Sequence, residues 1–289
     1  VTGPRNFREL IEAEVVYGQS RRAEFVKNIS QTTTQGLWFD MTGGSGNPRA
    51  KQWFDAQPLK AQQVLRSTDG GIDHGAPVQS DGFAKYLREL RVACGSTTPL
   101  PMTLMLCDYL LYYPSIDESE TSAQTMDNTI TLPRYTDGAG VQMMAVTISG
   151  GAGGQTFTVS YTNSDGTAGR TSTATMNAAA ALGTITTSST TTSTGGNPFL
   201  TLQGTDIGVR SIDSVQINGS DTGFFALVLV RPLANIMLQS NITPSEKDFV
   251  LFASELPRIY DDAFLSFLAQ PNGSLSGLPV RGSIKTVWN

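Results

Sequence analysis

Residues 155–175, QTFTVSYTNSDGTAGRTSTAT, alternate apolar and small polar side chains on both sides of a Ser-Asp-Gly. Phe157, Val159 and Tyr161 share one face and Thr158, Ser160 and Thr162 the other, which is the two-residue period of a half-buried strand. Asn163, Ser164, Asp165 and Gly166 are residues that a tight turn with positive φ favours, so the pattern predicts a β-hairpin. A calcium loop is excluded by spacing. It needs a Glu six residues beyond its glycine, but position 172 is Ser, and no acidic residue follows Asp165 until Asp206.

Strand patterns recur at 141–149, 209–217, 223–230 and 249–253, and 263–288 reads as a closing hairpin about Pro271-Asn272-Gly273 with one more strand after it. Helical spacing appears twice. Phe7, Leu10, Ile11 and Val15 form one set, and Phe83, Tyr86, Leu87 and Leu90 form a clearer one. Ser80 and Asp81 in N-cap position and Gly95 beyond the end predict a helix there, with Phe83, Leu87 and Leu90 inward and Lys85, Arg88 and Glu89 outward. PLPMTLMLCDYLLYYP (99–114) is apolar almost throughout, and Pro101 suits a first helical turn. A buried helix is predicted, with a strand as the alternative. TITTSSTTTST (184–194) suits a linker, a loop or a solvated edge strand, and no repeat of fixed period is present.

The expected fold is mainly β with some α: a β-sandwich or jelly-roll-like body with two or three helices and an extended N-terminal arm. Its expected divisions are an arm at 1–35, a mixed α/β segment at 36–135 packed on the body, and the β body at 136–289 with the Ser/Thr-rich loop or strand at 184–194.

Composition sharpens this picture. Only 16% of the 289 residues are charged, and Gly, Ser and Thr take up the difference, as in a turn-rich β protein with uncharged polar surfaces. A net charge of −5 argues against electrostatic nucleic-acid binding. Cys94 and Cys107 have no second pair, so they are expected as reduced core thiols. No stretch reaches the ~18 apolar residues of a membrane span, and VTGPRNFREL lacks a leader's apolar region, so folding in a cytosol is the expectation.

Candidate chemistry is thin. His74 stands beside Asp73, with Asp69 and Asp81 near in sequence, but a lone His makes a poor transition-metal site and no nucleophile motif accompanies it. A surface-loop or helix-capping role is expected. Asp117, Glu118 and Glu120 form an acidic cluster expected to be a solvated loop, and the GGAGG at 150–154 lacks the Lys-Ser/Thr of a phosphate loop. The YDD at 260–262 reads as a strand entrance beside a turn. Trp38, Trp53 and Tyr260 are the candidates for a carbohydrate platform, with core or interface packing the competing use of the tryptophans. No catalytic residue, cofactor site or metal site is assigned, and no enzymatic activity is expected.

TLMLCDYLLYYPSID, TMDNTITLPRYTDGAGVQMMAV, FTVSYTNSDGTAGRTS and PNGSLSGLPVRGSIKTVWN together resemble tailed-bacteriophage virion structural proteins of the minor or auxiliary capsid type. The resemblance runs over roughly residues 70–289. It implies a capsid-associated decoration (cement) or minor capsid protein, located in the phage head and assembled in the host bacterial cytoplasm. Its implied partners are the major capsid protein or other virion proteins and further copies of itself, with no direct nucleic-acid or membrane contact. The alternative from another class is a phage tail or surface adhesion module that binds host carbohydrate. The acidic balance favours the outer shell over the DNA-facing lumen.

Overall fold

The computed structural model describes residues 4, 6–178, 181–186, 196–252 and 256–289. The chain is mainly β, with three short helices among these residues, and its antiparallel sheets form a sandwich-like body. The main strands are β1 (Ser20–Ile29), β2 (Lys85–Cys94), β3 (Met102–Asp117), β4 (Gln142–Ser149), β5 (Thr156–Asn163), β6 (Arg170–Thr175), β7 (Val209–Ile217), β8 (Phe224–Leu238), β9 (Phe264–Gln270) and β10 (Leu278–Trp288). The helices are α1 (Phe7–Ile11), α2 (Arg66–Asp69) and α3 (Phe249–Phe252).

The central sheet has the order β4-β8-β3-β9, with Ile185–Thr186 outside β4 and Phe39–Asp40 outside β9. One end of one face packs on a second sheet, β2-β10-β1, through Leu104 and Leu106 of β3, Ile236 of β8, and Leu87, Phe25 and Ile284 opposite. The other end packs on a third sheet, β6-β5-β7, through Tyr113, Phe225 and Leu227 against Phe157, Val159 and Ile212. The reverse face, with Tyr109, Tyr112 and Val228, is covered by Trp38, Trp53, Val64 and Phe199. Burial on both faces is why β3 lacks alternation. The predicted helix at 99–114 is therefore a long central strand instead.

The predicted helix at 83–90 is also a strand. Glu89 pairs with Lys285 and Leu87 with Thr286, which leaves Arg88 as an extra residue in the ladder. That bulge changes the phase, so the buried positions run 85, 87, then 90, 92, 94. Leu87 and Leu90 lie three apart for this reason and imitate a helical stripe. Lys85, expected outward, is fully buried, and Phe83 is only half-buried. Ser80 and Asp81 form part of a 3-10 turn, Gln79–Asp81, and cap no long helix.

The hairpin over 155–175 is present. β5 and β6 pair from Tyr161↔Arg170 to Thr156↔Thr175, and Gly166 takes φ +82° in the turn, donating its N–H to Asn163 O. At 263–288 the expected hairpin is absent, because β9 belongs to the central sheet and β10 to the second. The intervening loop crosses between sheets and is pinned from outside. Leu275 N–H donates to Thr33 Oγ1, Thr33 Oγ1 to Gly273 O, and Asn272 N–H to Pro99 O. The strand expected at 249–253 is helical over Phe249–Phe252, since Asp248 accepts from the N–H groups of Val250 and Leu251 and starts a turn. Of the Ser/Thr-rich stretch, Ile185–Thr186 pairs with β4, and 187–194 lies outside the described residues.

Candidate functional site

His74 lies in neither a surface loop nor a cap; it is completely buried. Its Nε2 donates to Ala263 O at 3.0 Å and its Nδ1 faces Lys85 Nζ at 3.3 Å. Burial, and then the Lys85 and Arg66 cations, hold its pKa down at about 3, so the ring stays neutral. Lys85 also donates to Ala76 O and pairs with Asp261, whose other oxygen accepts from Val78 and Gln79 N–H. His74 and Lys85 are sealed from solvent, and this Lys–His–Asp group ties the 73–85 loop to Ala263 and Asp261. Asp73 bridges Arg21 and Arg66, and Asp69 pairs with Lys51. Asp81 is exposed.

The acidic stretch divides. Glu120 is exposed and caps Ser122, whereas Glu118 is buried. Burial, and then Asp221 and Asp117, push the Glu118 carboxyl up to about 7. Asp221 in turn accepts from Ala152 and Gly153 N–H, so the glycine-rich loop wraps a carboxylate of its own chain. Among the described residues, no group of three or more His, Cys, Asp or Glu side chains is placed to hold a metal ion. Cys94 and Cys107 are both buried and free. Trp38 and Trp53 are buried, with Trp53 stacked on Tyr109 and bonded to Asp40, so neither is a sugar platform. Tyr260 is half-buried, edge-on to Tyr135 and stacked under Arg258.

The surface feature that sets this molecule apart is its N-terminal segment. Asn6 caps α1 by accepting from Glu9 N–H at 2.9 Å. The helix then continues as a π-helical turn, Glu12–Val16, and Gly18 at φ +63° lets the chain turn into β1. Leu10 and Ala13 pack on Val287 of β10. Glu14 is clamped by Lys285 at 2.5 Å and by Arg88 at 3.1 Å, and Arg88 also pairs with Asp248. Burial raises the Asp248 carboxyl, but the Arg88 guanidinium and two backbone N–H groups outweigh it and keep it below the usual range.

This clamp turns the other side of the segment outward. Phe7 is 60% exposed, Ile11 43%, Val15 75%, Val16 66% and Tyr17 67%, and Leu251 on the adjacent α3 is 71% exposed. The helical stripe of Phe7, Ile11 and Val15 is thus a solvent face, while its fourth member, Leu10, points to the core. The sequence showed the period but not which side would find a partner within the chain. Five exposed apolar side chains within eleven residues of one anchored segment are the kind of surface that interaction sites use.

No family model matches the chain, and no curated protein sequence matches it. Among solved structures it is similar to three from infectious bursal disease virus. They are the Gt strain (10% identity, 93% of this chain, 80% of that chain), the VP2 subviral particle (9%, 93% and 80%) and the virus-derived T=1 particles (11%, 93% and 77%), each at a TM-score of 0.18.

Proposed function

We propose that this chain is a structural component of a virion, acting by self-association and by docking on a capsid lattice, without catalysis. More narrowly, we assign it as a tailed-phage decoration (cement) or minor capsid protein located in the phage head. The observation that supports the assignment is the exposed apolar face of Phe7, Ile11, Val15, Val16 and Tyr17, held in place by the half-buried Glu14 clamp. Anchoring matters energetically, because a pre-ordered surface loses little conformational entropy on binding. These side chains supply the anchors of an interface that needs at least ~1,000 Å² in total, and repetition over a lattice adds avidity to each weak contact. The motif resemblance to phage virion proteins points the same way. The carbohydrate-adhesion alternative is weakened by the burial of both candidate tryptophans.

The test is a Phe7→Glu, Val15→Lys double substitution, which changes only exposed side chains. Sedimentation velocity and co-sedimentation with purified empty capsids should show loss of oligomers and at least a tenfold weaker attachment, with unchanged thermal unfolding. A variant that assembles and attaches like the parent would remove the N-terminal face from the mechanism. A parent protein that stays monomeric, ignores capsids and cleaves a polysaccharide would overturn the structural assignment.

A further inference from the structure

The second and third sheets cover separate ends of the central sheet, and a groove opens in the region of β8 where the ladder with β4 stops. That ladder ends at Val230↔Gln142, so among the described residues β8 has a strand partner only on its β3 side from Arg231 to Leu238. Pro232, which has no N–H to donate, and the irregular pairing around Leu233 sit where such an edge tolerates them. Across the groove runs Ser245–Asp248, the outermost strand of the second sheet. On the open side of β8, Asn235 O and Met237 O are met by the side chains of Lys247 and Ser245 and not by a backbone.

The groove begins as a cavity of about 610 Å³ and continues into a trough of about 660 Å³ that shares Asn235 and Lys247 with it. Three cations line the cavity: Arg231, Lys247 and Arg258. Among the described residues no carboxylate lines the cavity and none of the three cations has an ion-pair partner, while Glu246, which lines the trough, pairs with Arg91. Arg231 lies over the Tyr135 ring at 5.5 Å, with one amino group on Ala139 O. A Cβ on Gly140 would stand 1.2 Å from that amino group, so this glycine leaves the space the guanidinium occupies. Arg258 stacks on Tyr260 at 4.8 Å, and its Nε is buried with no hydrogen-bond partner among the described residues. Leu233, Phe249 and Leu256 supply apolar wall between the cations.

Three cations gathered in one cavity without an ion-pair partner among the described residues favour an anionic ligand there, in a chain whose net charge is −5. An open strand edge calls for an extended backbone. We propose that the groove binds an extended acidic peptide segment of a protein partner. The segment lies along the open β8 edge at 231–235, sets carboxylates against Arg231, Lys247 and Arg258, and turns its alternate side chains to the Leu233–Phe249–Leu256 wall. Arginine matches a carboxylate with two parallel N–H groups, and the two-residue period of an extended chain suits alternating acidic and apolar positions.

The probe is a fluorescent peptide of alternating Glu and Val, titrated against the full chain by anisotropy at low salt. Saturable binding is expected, at least tenfold tighter than for the matching Lys–Val peptide. Lys247→Glu with Arg258→Glu should weaken it at least tenfold without changing thermal unfolding. Should that double variant fail to fold, Arg258→Gln alone serves in its place, together with photo-crosslinking of the peptide to the parent. The crosslinks should map to 231–235, Lys247 and 256–258. Absence of saturation, equal affinity for the charge variants, or crosslinks elsewhere would overturn the assignment. Tighter binding of an oligo-dT strand than of the peptide would overturn it as well, in favour of a nucleic-acid site.

Discussion

Replacing Arg134 by Met tests how the centre of β3 is held. Asp108 lies on β3 between Leu106, which faces the second sheet, and Leu110, which faces the third. It is completely buried, as is nearly all of Arg134. The guanidinium grips the carboxylate twice, Nε at 3.0 Å and Nη2 at 2.7 Å, and also donates to Tyr109 O and Val64 O. Phe264 N–H is the remaining donor to Asp108 among the described residues. Methionine keeps much of the stem volume and removes every one of these Arg donors. Breaking one side of a buried pair costs about 3–5 kcal/mol, because the surviving charge is stranded in a low dielectric. Burial already raises the Asp108 pKa to about 6 against the pull of Arg134, so loss of the cation moves it higher. The sign follows. A carboxyl raised in the folded state binds more protons there than in the unfolded chain, so the deficit is full at pH 8 and shrinks as the carboxyl protonates on acidification. Urea unfolding at pH 8 and pH 5 should show a smaller loss at pH 5. Adding Asp108→Asn to the Arg134→Met protein should recover part of the loss and abolish its pH dependence. A loss below about 1 kcal/mol at pH 8, or equal losses at both pH values, would refute the stranded-charge account.

Leu87→Ala removes a fully buried side chain from the core between the central and second sheets and should cost about 2–5 kcal/mol in urea unfolding. His74, held at about 3, should not titrate between pH 5 and 8 by NMR. Because its folded pKa is depressed, its contribution is complete above about 6.5 and is lost as pH falls toward 3, a decline His74→Gln should flatten if it folds. Glu118 acts in the opposite sense. Its pKa of about 7 costs stability as pH rises from 4.5 to 7, so Glu118→Gln should raise the unfolding temperature at pH 8 and leave it nearly unchanged at pH 4.

What the sequence determined by itself is what neighbours along the chain decide. The β5–β6 hairpin was legible because its alternation and its Asn-Ser-Asp-Gly turn are local, and β7 was legible over its whole length from its own pattern. The mainly β class and the buried thiols followed from composition in the same way. Among the described residues, no helix is long and apolar enough to cross a membrane. Where the sequence misled, partners distant in the chain had the deciding role. The bulge at Arg88 exists only in register with β10, and it puts one three-residue interval, Leu87 to Leu90, into a strand's two-residue burial pattern. The uniform apolarity of β3 is equally compatible with a buried helix, and two sheets on one face with an aromatic cover on the other select the strand. β9 and β10 each read correctly as strands, but Thr33 and Pro99 carry the loop between them to a different sheet. The same holds for the candidate sites. His74 is buried because Ala263 and Lys85 come to it from elsewhere in the chain, and the Phe7–Val15 stripe faces outward because the Glu14 clamp spends the opposite side on Val287. Periodicity specifies that a face exists. Only the tertiary contacts specify whether that face meets this chain or another.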